Sequence, residues 1–399
     1  MLGGTASVAG SQVTLVVLPV LMFQLTGSAA LTGLLLAVEA TPYLLFGLLA
    51  GAVADRVDRR LLMIGCDLSA AVAMASVPAA AAFGALAVPH VFAAAVVVAV
   101  AFVWRDGAYF GALPAIVGRD RLVAATGILA STAGVLQVLG PAVGGVLVAT
   151  VGAPAALWLD AAGYLVSAAT LLLIRAPFAT GPAGERRRIL ADIAEGLRFV
   201  RRHPLIRPLS LMGFGHSLTG GALIGLLVVY GVERLDLGTA DPRLGWLYSA
   251  GAIGALCAAA LLRGWCGRSA SRGWTCWSGP RTPSCSAESC SRRACPSRSW
   301  PSSSGWGTYQ LAITSSITLR QQLTPDRLQG RVNVTARMIA WGGQPVGAAL
   351  GGALAEAWGL RTALLVAGIG AAGAAVYGWL SPLRRPDATA PGVGVAPRG

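Results

Sequence analysis

The stretch Gly51-Ala-Val-Ala-Asp55-Arg56-Val-Asp58-Arg59-Arg60 places five charged residues between two long apolar runs, at about 29–54 and 60–84. Each run is long enough for a helix that crosses a lipid bilayer, which takes about 20 apolar residues. A short charged connection between two such helices is typical of a membrane protein that crosses the bilayer repeatedly. We therefore predict an all-α membrane fold.

The composition of the whole chain agrees with this prediction. Of its 399 residues, 55% are hydrophobic and only 12% are charged, with a mean hydropathy of +0.66, so too little polar surface exists to enclose a soluble core. The net charge of +14 could indicate nucleic-acid binding, but the basic residues are all arginines and cluster in short connections between apolar runs. We predict a lipid bilayer and no nucleic acid as partner.

Apolar runs of helix length recur along the chain, six in the first part and five in the second. The intervening polar segment contains Arg198, Arg201 and Arg202 on an expected amphipathic surface helix. The predicted runs are 4–26, 29–54, 60–84, 86–114, 122–150, 152–176, 206–232, 243–262, 306–323, 328–356 and 360–382. The predicted organisation is an N-terminal six-helix half at 1–176, a cytoplasmic central loop at 177–205, a C-terminal half at 206–385 and a disordered tail at 386–399.

The distribution of arginine predicts the orientation in the membrane. Alternate connections contain the arginines, and cytoplasmic loops are enriched in basic residues. This pattern predicts a multi-pass protein of the inner (plasma) membrane with both termini in the cytoplasm. The arginines in question are Arg56, Arg59, Arg60, Arg119, Arg121, those of the central loop, Arg320, Arg327 and Arg331.

An internal repeat supports two halves of six helices each. Asp120-Arg121-Leu122 recurs 206 residues later as Asp326-Arg327-Leu328, and Gly144-Gly145 recurs 207 residues later as Gly351-Gly352. Chance similarity between segments rich in Gly and Leu is the alternative. The repeat predicts twelve helices.

Residues 265–305 differ from the rest of the chain, because they contain no Leu, Ile, Val, Phe or Met but include five cysteines. Such a segment cannot span lipid unaided. No C-x-x-C pair or nearby histidine accompanies the cysteines, so we expect no metal site. Translation in a shifted frame turns 290–305 into an apolar run, so we hypothesise two compensating frameshifts that replaced the ninth helix and the start of the tenth. A genuine cytoplasmic loop rich in Ser, Arg and Cys is the alternative.

The stretch 51–60 resembles the signature loop between helices two and three of the major facilitator superfamily, with Asp58 where glycine is usual. The resemblance implies a twelve-helix fold of two halves. It also implies a gating loop, in which glycine allows close packing, an acid lies at a helix N-terminus and arginines pair with carboxylates across the two halves. An ordinary cluster of cytoplasmic arginines is the alternative. The loop residues are Gly51, Asp55, Arg56, Asp58, Arg59 and Arg60.

Two further stretches narrow the resemblance. Gly140-Pro141-Ala-Val-Gly144-Gly145 resembles the helix-five motif of proton-exchanging exporters in this superfamily, although Leu136 replaces an upstream glycine. A role in setting transport direction and a role in packing both fit this motif. The stretch 319–333 resembles the branch that contains siderophore exporters and macrolide-type efflux proteins, which implies export.

Ionisable residues within the apolar runs are costly in lipid and are therefore functional candidates. Glu39 is the candidate proton carrier. Arg105 and Asp106 are candidates for binding substrate or protons, with a buried ion pair as the alternative. Gln137 and Trp341 are candidate cavity contacts for a bulky, partly apolar solute, with lipid-facing or packing roles as the alternative.

These features predict a secondary active transporter that exports a small organic molecule, drug-like or siderophore-like, in exchange for protons. Proton-coupled uptake and an inactive frameshifted remnant are the alternatives. No Walker-type ATP-binding loop occurs, and His90, His203 and His216 form no catalytic set, so we do not expect an enzyme. We expect a small-molecule substrate and protons as partners, a monomer, and no cofactor.

Overall fold

The computed structural model describes residues 2–54, 56–118, 121–174, 189–270, 324 and 329–381. All secondary structure within these residues is helical, in thirteen α-helices. They are α1 (Leu2–Thr26), α2 (Ala29–Ala54), α3 (Arg59–Ala82), α4 (Val88–Val117), α5 (Leu122–Val151), α6 (Ala153–Leu173), α7 (Ile189–Arg202), α8 (Ile206–Gly225), α9 (Leu227–Leu235), α10 (Arg243–Ala270), α11 (Gln329–Trp341), α12 (Gly343–Trp358) and α13 (Leu360–Leu380).

Helices α1 to α6 follow the first six predicted apolar runs, with ends that differ by a few residues at most. Among the described residues, seven helices are long and apolar enough to cross a membrane, namely α1 to α6 and α13. Helices α8 and α9 meet at a 50° bend and would together make an eighth. The sequence predicted this pair as one uninterrupted run, 206–232.

Helices α1 to α6 form the first helix group, in which α1 packs against both α5 and α6. The core between these helices contains Leu18, Met22, Met74 and Leu157, each almost completely buried. Small residues allow the close approach of α1 and α6: a Cβ atom on Gly163 would lie 2.7 Å from the carbonyl oxygen of Ala6. Packing of this kind stabilises helix pairs in lipid, where burial of apolar surface gives little.

Helices α8 to α13 form the second helix group, in which α8 packs against α11, α12 and α13. The predicted run 328–356 is divided into α11 and α12 at Gly342. Helix α7 lies beside this group and is amphipathic, as predicted: Val200 is buried against Ile206 and Val332, while its arginines are exposed. Those arginines are Arg198, Arg201 and Arg202.

The two helix groups contain a matching turn. Gly152 joins α5 to α6 with φ 85° and ψ 157°, and Gly359 joins α12 to α13 with φ 82° and ψ 157°. L-residues with a side chain rarely adopt such a positive φ, so glycine is required at both turns. The two glycines are 207 residues apart, the same offset that separates Gly145 from Gly352. The internal repeat seen in the sequence therefore coincides with a repeat in backbone geometry.

Several predictions concern residues outside the described ranges. Within the anomalous stretch 265–305, only residues 265–270 are described, as the end of α10. The remaining 271–305, the predicted helix at 306–323 and the tail at 386–399 lie outside the described residues, as does Asp55 of the proposed gating loop.

Candidate functional site

The bundle has two ends that differ in charge. The arginine-rich end contains the α2–α3 connection and α7, and the arginine-poor end contains the turns at Gly27, Gly84, Gly152 and Gly359. The two helix groups approach each other most closely near the arginine-poor end, through α2 with α12 and α5 with α10.

Glycines make both of these approaches possible. A Cβ atom on Gly352 of α12 would lie 2.7 Å from the carbonyl oxygen of Ala29 and 3.1 Å from the Cα of Gly33, both at the start of α2. A Cβ atom on Gly145 of α5 would lie 2.5 Å from the carbonyl oxygen of Pro242 and 2.9 Å from the amide nitrogen of Gly245, at the start of α10. All of these neighbours are backbone atoms, which cannot rotate away as a side chain can.

The predicted helix-five motif is part of this arrangement. Gly140 and Gly144 face α1 within the first helix group, and Gly145 faces α10 of the second. The second helix group has the same pattern 207 residues later, where Gly347 and Gly351 face α8 and Gly352 faces α2. The three glycines of the motif are therefore in close helix contact, and a Cβ atom on Gly245 of α10 would meet the carbonyl oxygen of Pro141. The geometry favours the packing role that the sequence left open.

A carboxylate also joins the two groups at the arginine-poor end. Glu356 Oε2 accepts hydrogen bonds from Ser28 Oγ at 3.0 Å and from the backbone amide of Ala30 at 3.2 Å. These donors lie at the N-terminus of α2, where backbone amides lack helical partners and the helix dipole favours an anion. Glu356 therefore caps a helix of the opposite group.

Removal of this cap is expected to loosen the arginine-poor end. Glu356→Gln removes the charge of the acceptor, and an exposed cap of this kind contributes about 1 kcal/mol. We expect amide hydrogen exchange in residues 29–36 to accelerate by about fivefold, since about 1.4 kcal/mol corresponds to tenfold. In a double-mutant cycle with Ser28→Ala, additive effects of the two substitutions would contradict the contact.

The proposed gating loop begins α3 through Asp58. Its side chain accepts from the backbone amides of Arg60 at 2.8 Å and Leu61 at 3.2 Å, which makes it the N-cap of α3. Asp58 has φ −64° and ψ 107°, an ordinary extended conformation that needs no glycine. The departure from the usual glycine therefore adds a helix cap.

Substitutions at Asp58 should distinguish the cap from other roles. Asp58→Ala is expected to lower the free energy of unfolding by about 1 kcal/mol, whereas Asp58→Gly should lower it by only a few tenths. Asp58→Asn is the matched control, because asparagine caps about as well as aspartate. Denaturant titration in mixed micelles measures the three changes, and equal losses for alanine and asparagine would show that the charge, not the cap, is what matters.

Arg60 of the proposed gating loop makes contacts that the resemblance did not predict. Arg60 donates from Nε to the carbonyl oxygen of Leu171 at 2.9 Å and from Nη2 to that of Leu172. These carbonyls end α6, so Arg60 caps a helix C-terminus within its own group. Pairing with a carboxylate across the two groups, which the resemblance implies for one gating state, stays a prediction. Arg56 is exposed, and Gly51 lies in the last turn of α2.

Arg105 forms a buried ion pair, but its partner is on another helix. Arg105 Nε lies 2.8 Å from Asp67 Oδ1 of α3, and the two side chains are 15% and 0% exposed. Arg105 also donates from Nη2 to Ser167 Oγ of α6 at 3.3 Å. The pair and its hydrogen bond to Ser167 therefore join α3, α4 and α6 of the first group. The adjacent Asp106 is not the ion-pair partner of Arg105.

Glu39, the candidate proton carrier, is half-buried on α2 and lies within electrostatic reach of a second acid, Asp160 of α6. Asp160 is completely buried and accepts from Thr14 Oγ1 at 2.5 Å. Its other oxygen has no hydrogen-bond partner among the described residues. Two acids without a basic partner in the described chain thus lie near the middle of the first group.

Trp341 belongs to a cluster that links the two groups. Its ring lies 5.1 Å from that of Tyr43 on α2, and the guanidinium of Arg337 lies over both rings. Asp106 of α4 is within electrostatic reach of Arg337 but is not in contact with it. We call Tyr43, Arg337 and Trp341 the Arg337 cluster.

Other candidates lie apart from these residues. Gln137 is exposed on α5. His216 donates from Nδ1 to the carbonyl oxygen of Met212 at 2.9 Å, a local hydrogen bond within its own helix. An apolar groove of 510 Å³ between α3 and α4 is lined by residues such as Leu61, Val97 and Trp104 and contains no acid or arginine.

Sequence reasoning did not identify the hydroxyl groups that face Asp160, the role of Arg337 or the pairing of Glu356, although the first two left a signal. Ser7, Ser11 and Thr14 form a hydroxyl stripe on one face of α1, which indicates a polar partner on the facing helix. Arg337 lies within a predicted apolar run, and the cost of an arginine in lipid marks it as a functional candidate.

The helices are long enough to cross a membrane and form two repeated groups that contain charged residues. This arrangement is typical of a membrane transporter. A family model of the Major Facilitator Superfamily matches residues 1–282. The chain belongs to this superfamily and is a multi-pass membrane transporter.

Individual relatives agree with this assignment. The chain is 26% identical over 371 residues to the multidrug efflux pump Tap of Mycolicibacterium fortuitum, covering 90% of the chain and 88% of the relative. It is 28% identical over 256 residues to the enterobactin exporter EntS of Escherichia coli O1:K1 / APEC, covering 62% of the chain and 58% of that exporter.

Solved structures show the same fold. A bacterial homolog of the human lysosomal transporter Spinster, in an inward-facing and occupied conformation, superposes with a TM-score of 0.72 at 15% identity over 95% of each chain. A bacterial homologue of the iron transporter ferroportin gives a TM-score of 0.60 at 15% identity, over 94% of this chain and 97% of that one.

Proposed function

We propose that this chain is a secondary active transporter of the inner (plasma) membrane that exports a small organic molecule in exchange for protons. The observation that best supports export is the similarity to Tap, a multidrug efflux pump, over 90% of the chain. The similarity to EntS, an enterobactin exporter, supports the same direction and widens the substrate class to siderophore-like molecules.

The proposed mechanism is alternating access, in which one end of the bundle opens as the other closes. Both termini of the chain and the arginine-rich end of the bundle are assigned to the cytoplasm, because basic residues are enriched in cytoplasmic loops. The glycine contacts of Gly33 with Gly352 and of Gly145 with Gly245 then close the outer end. In this assignment the outer end is the closed end, and an exporter with that end closed takes its substrate from the cytoplasm.

Proton exchange is assigned to Glu39, which shares the middle of the first group with Asp160. A carboxylate without a basic partner in lipid is favoured in its protonated form, because burial of an unpaired charge is costly. Efflux of a fluorescent dye such as ethidium from a host strain without its own pumps tests this assignment. Glu39→Gln should abolish efflux driven by a pH gradient, whereas Glu233→Gln, a change at an exposed acid, should leave it intact.

We further propose that the intact fold has twelve helices in the two halves 1–176 and 206–385, joined by the central loop 177–205. Two compensating frameshifts across 265–305 would explain why this stretch lacks the apolar residues expected of a ninth helix and of the start of the tenth. The superfamily match ends at residue 282, within this stretch, while the similarity to Tap covers too much of the chain to stop there. The original frame is therefore proposed to resume after the stretch.

Two alternatives remain, proton-coupled uptake and an inactive remnant of an exporter. Resequencing of the codons for Leu262 to Tyr309 tests the frameshift directly, because restored apolar codons would support it. If resequencing gives the same bases, dye efflux by this chain is compared with efflux by a variant in which the apolar reading frame of 265–305 is restored. Activity in the restored version alone identifies a remnant, and equal activity in both would contradict the damage hypothesis. Dye accumulation in place of efflux would support uptake.

A further inference from the structure

The Arg337 cluster lies between the two helix groups, on the side of the glycine contacts that faces the arginine-rich end. The guanidinium carbon of Arg337 is 4.6 Å from the ring centroid of Trp341 and 5.0 Å from that of Tyr43. Attraction between a cation and aromatic faces stabilises this position of the side chain. The two rings thus fix the position of the guanidinium.

Arg337 is partly buried, and it has no ion-pair partner within 4.0 Å among the described residues. Its Nε, which is buried, has no hydrogen-bond partner among them. Arg105 differs in having a carboxylate beside it, since its Nε lies 2.8 Å from Asp67 Oδ1. Ionisable side chains within a membrane bundle pair with one another or belong to a ligand site. The five N–H donors of arginine match a carboxylate or another planar anion.

The acid that could neutralise Arg337 is not in contact with it. Asp106 of α4 lies within electrostatic reach, and Arg105 also faces Asp106. Asp106 and Arg337 belong to different helix groups, so their separation changes whenever the groups move relative to each other. An anion bound at Arg337 in this conformation competes with Asp106 for the same positive charge.

We propose that the Arg337 cluster binds the anionic group of an aromatic solute, with the solute ring stacked on Trp341. Trp341 is 39% exposed, so part of its ring is available for stacking. The inference rests on the proposed export function and specifies its substrate class, aromatic acids. Glu39 lies one helical turn from Tyr43 on the same face of α2, which puts the candidate proton carrier next to this site.

Binding of matched probes to the full-length chain in lipid nanodiscs tests the proposal by calorimetry. The probes are 2-naphthoate, an aromatic anion, and 2-naphthamide, its neutral counterpart. We expect the anion to bind about tenfold more tightly, as one charge-assisted hydrogen-bonded contact provides. Equal affinity for the two probes, or no saturable binding of 2-naphthoate by monodisperse protein, would overturn the proposal.

Variants assign the preference to particular residues. Arg337→Gln should abolish the preference for the anion, and Trp341→Leu should weaken both probes without changing their ratio. Asp106→Asn should instead raise the affinity for 2-naphthoate, because it removes the competing carboxylate. Arg361→Gln, which changes an exposed arginine on α13, is the control and should change neither affinity. An undiminished preference in Arg337→Gln would exclude Arg337 as the anion site.

The same variants separate this inference from the proposed function. If probe binding follows the expected pattern but cells export neither dye nor 2-naphthoate, the proposed anion site is supported and the proposed export function is wrong. If export proceeds and is unaffected by Arg337→Gln for every solute tested, including 2-naphthoate, export stands and the aromatic-acid site is wrong.

Discussion

Gly145→Val is expected to prevent closure of the arginine-poor end and so to shift the conformational equilibrium strongly. The new side chain would meet the carbonyl oxygen of Pro242 and the backbone of Gly245, neither of which can move without shifting α10. Overpacking of this kind costs about 1–3 kcal/mol, and at the upper end this corresponds to a population change of about a hundredfold. The variant should therefore favour the conformation in which this end is open.

Hydrogen exchange measured by mass spectrometry detects this shift. Backbone amides of residues 141–149 and 242–249 should lose protection in Gly145→Val. Gly127→Val is the matched control in the same helix, because a Cβ atom on Gly127 meets nothing within 4 Å. Both substitutions place valine in α5, so helix propensity affects them equally. Unchanged protection in Gly145→Val would show that the contact does not hold this end closed.

The repeat makes a second form of this test possible. Gly352→Val acts on α12, which occupies in the second group the place that α5 occupies in the first. Its side chain would meet Ala29 and Ala30 of α2. Since the two glycine contacts lie at the same end, either substitution should open that end. Amide hydrogen exchange should therefore accelerate at both contacts, not only at the mutated one. Faster exchange at the mutated contact alone would indicate that the two contacts open independently of each other.

The helices of the first group could be predicted from sequence because each is a long apolar run with a clear polar break. The bend at Leu226 could not, because it occurs inside an apolar segment without a polar interruption. The division at Gly342 left a signal, Gly342-Gly343-Gln344-Pro345, but the prediction treated 328–356 as one helix. Hydropathy depends on composition along the chain, whereas a bend depends on which helices pack on either side of it. The amphipathic α7 was predictable because its arginines occur at helical spacing beside apolar residues.

The candidate site was predictable residue by residue but not in its pairings. An ionisable residue in an apolar run is recognisable, which is why Glu39, Arg105 and Asp106 could be selected. Asp67 lies 38 residues from Arg105 and Tyr43 lies 294 residues from Arg337, and nothing in a single sequence relates such distant positions. The N-cap at Asp58 is the opposite case, since an aspartate just before a helix predicts a cap without knowledge of the fold.

The pairing of Asp67 with Arg105 leads to the largest expected effect on stability. Asp67→Asn leaves the guanidinium of Arg105 without its counter-charge between α3, α4 and α6. Loss of one partner of a buried ion pair costs about 3–5 kcal/mol, because the remaining charge stays desolvated. Denaturant titration in mixed micelles should show this loss, and Arg207→Met, at an exposed arginine on α8, should show little change.

The double variant Asp67→Leu/Arg105→Met decides whether this pair has a role beyond stability. Replacement of both charges by apolar side chains of similar size removes the desolvation cost together with the attraction, so the free energy of unfolding should return to within about 1–2 kcal/mol of the original. If the double variant is stable and still exports, the pair only joins helices. If it is stable but does not export, the pair takes part in transport as well as in joining helices. If its stability does not recover, the two charges do not act as a pair, and the ion-pair interpretation is wrong.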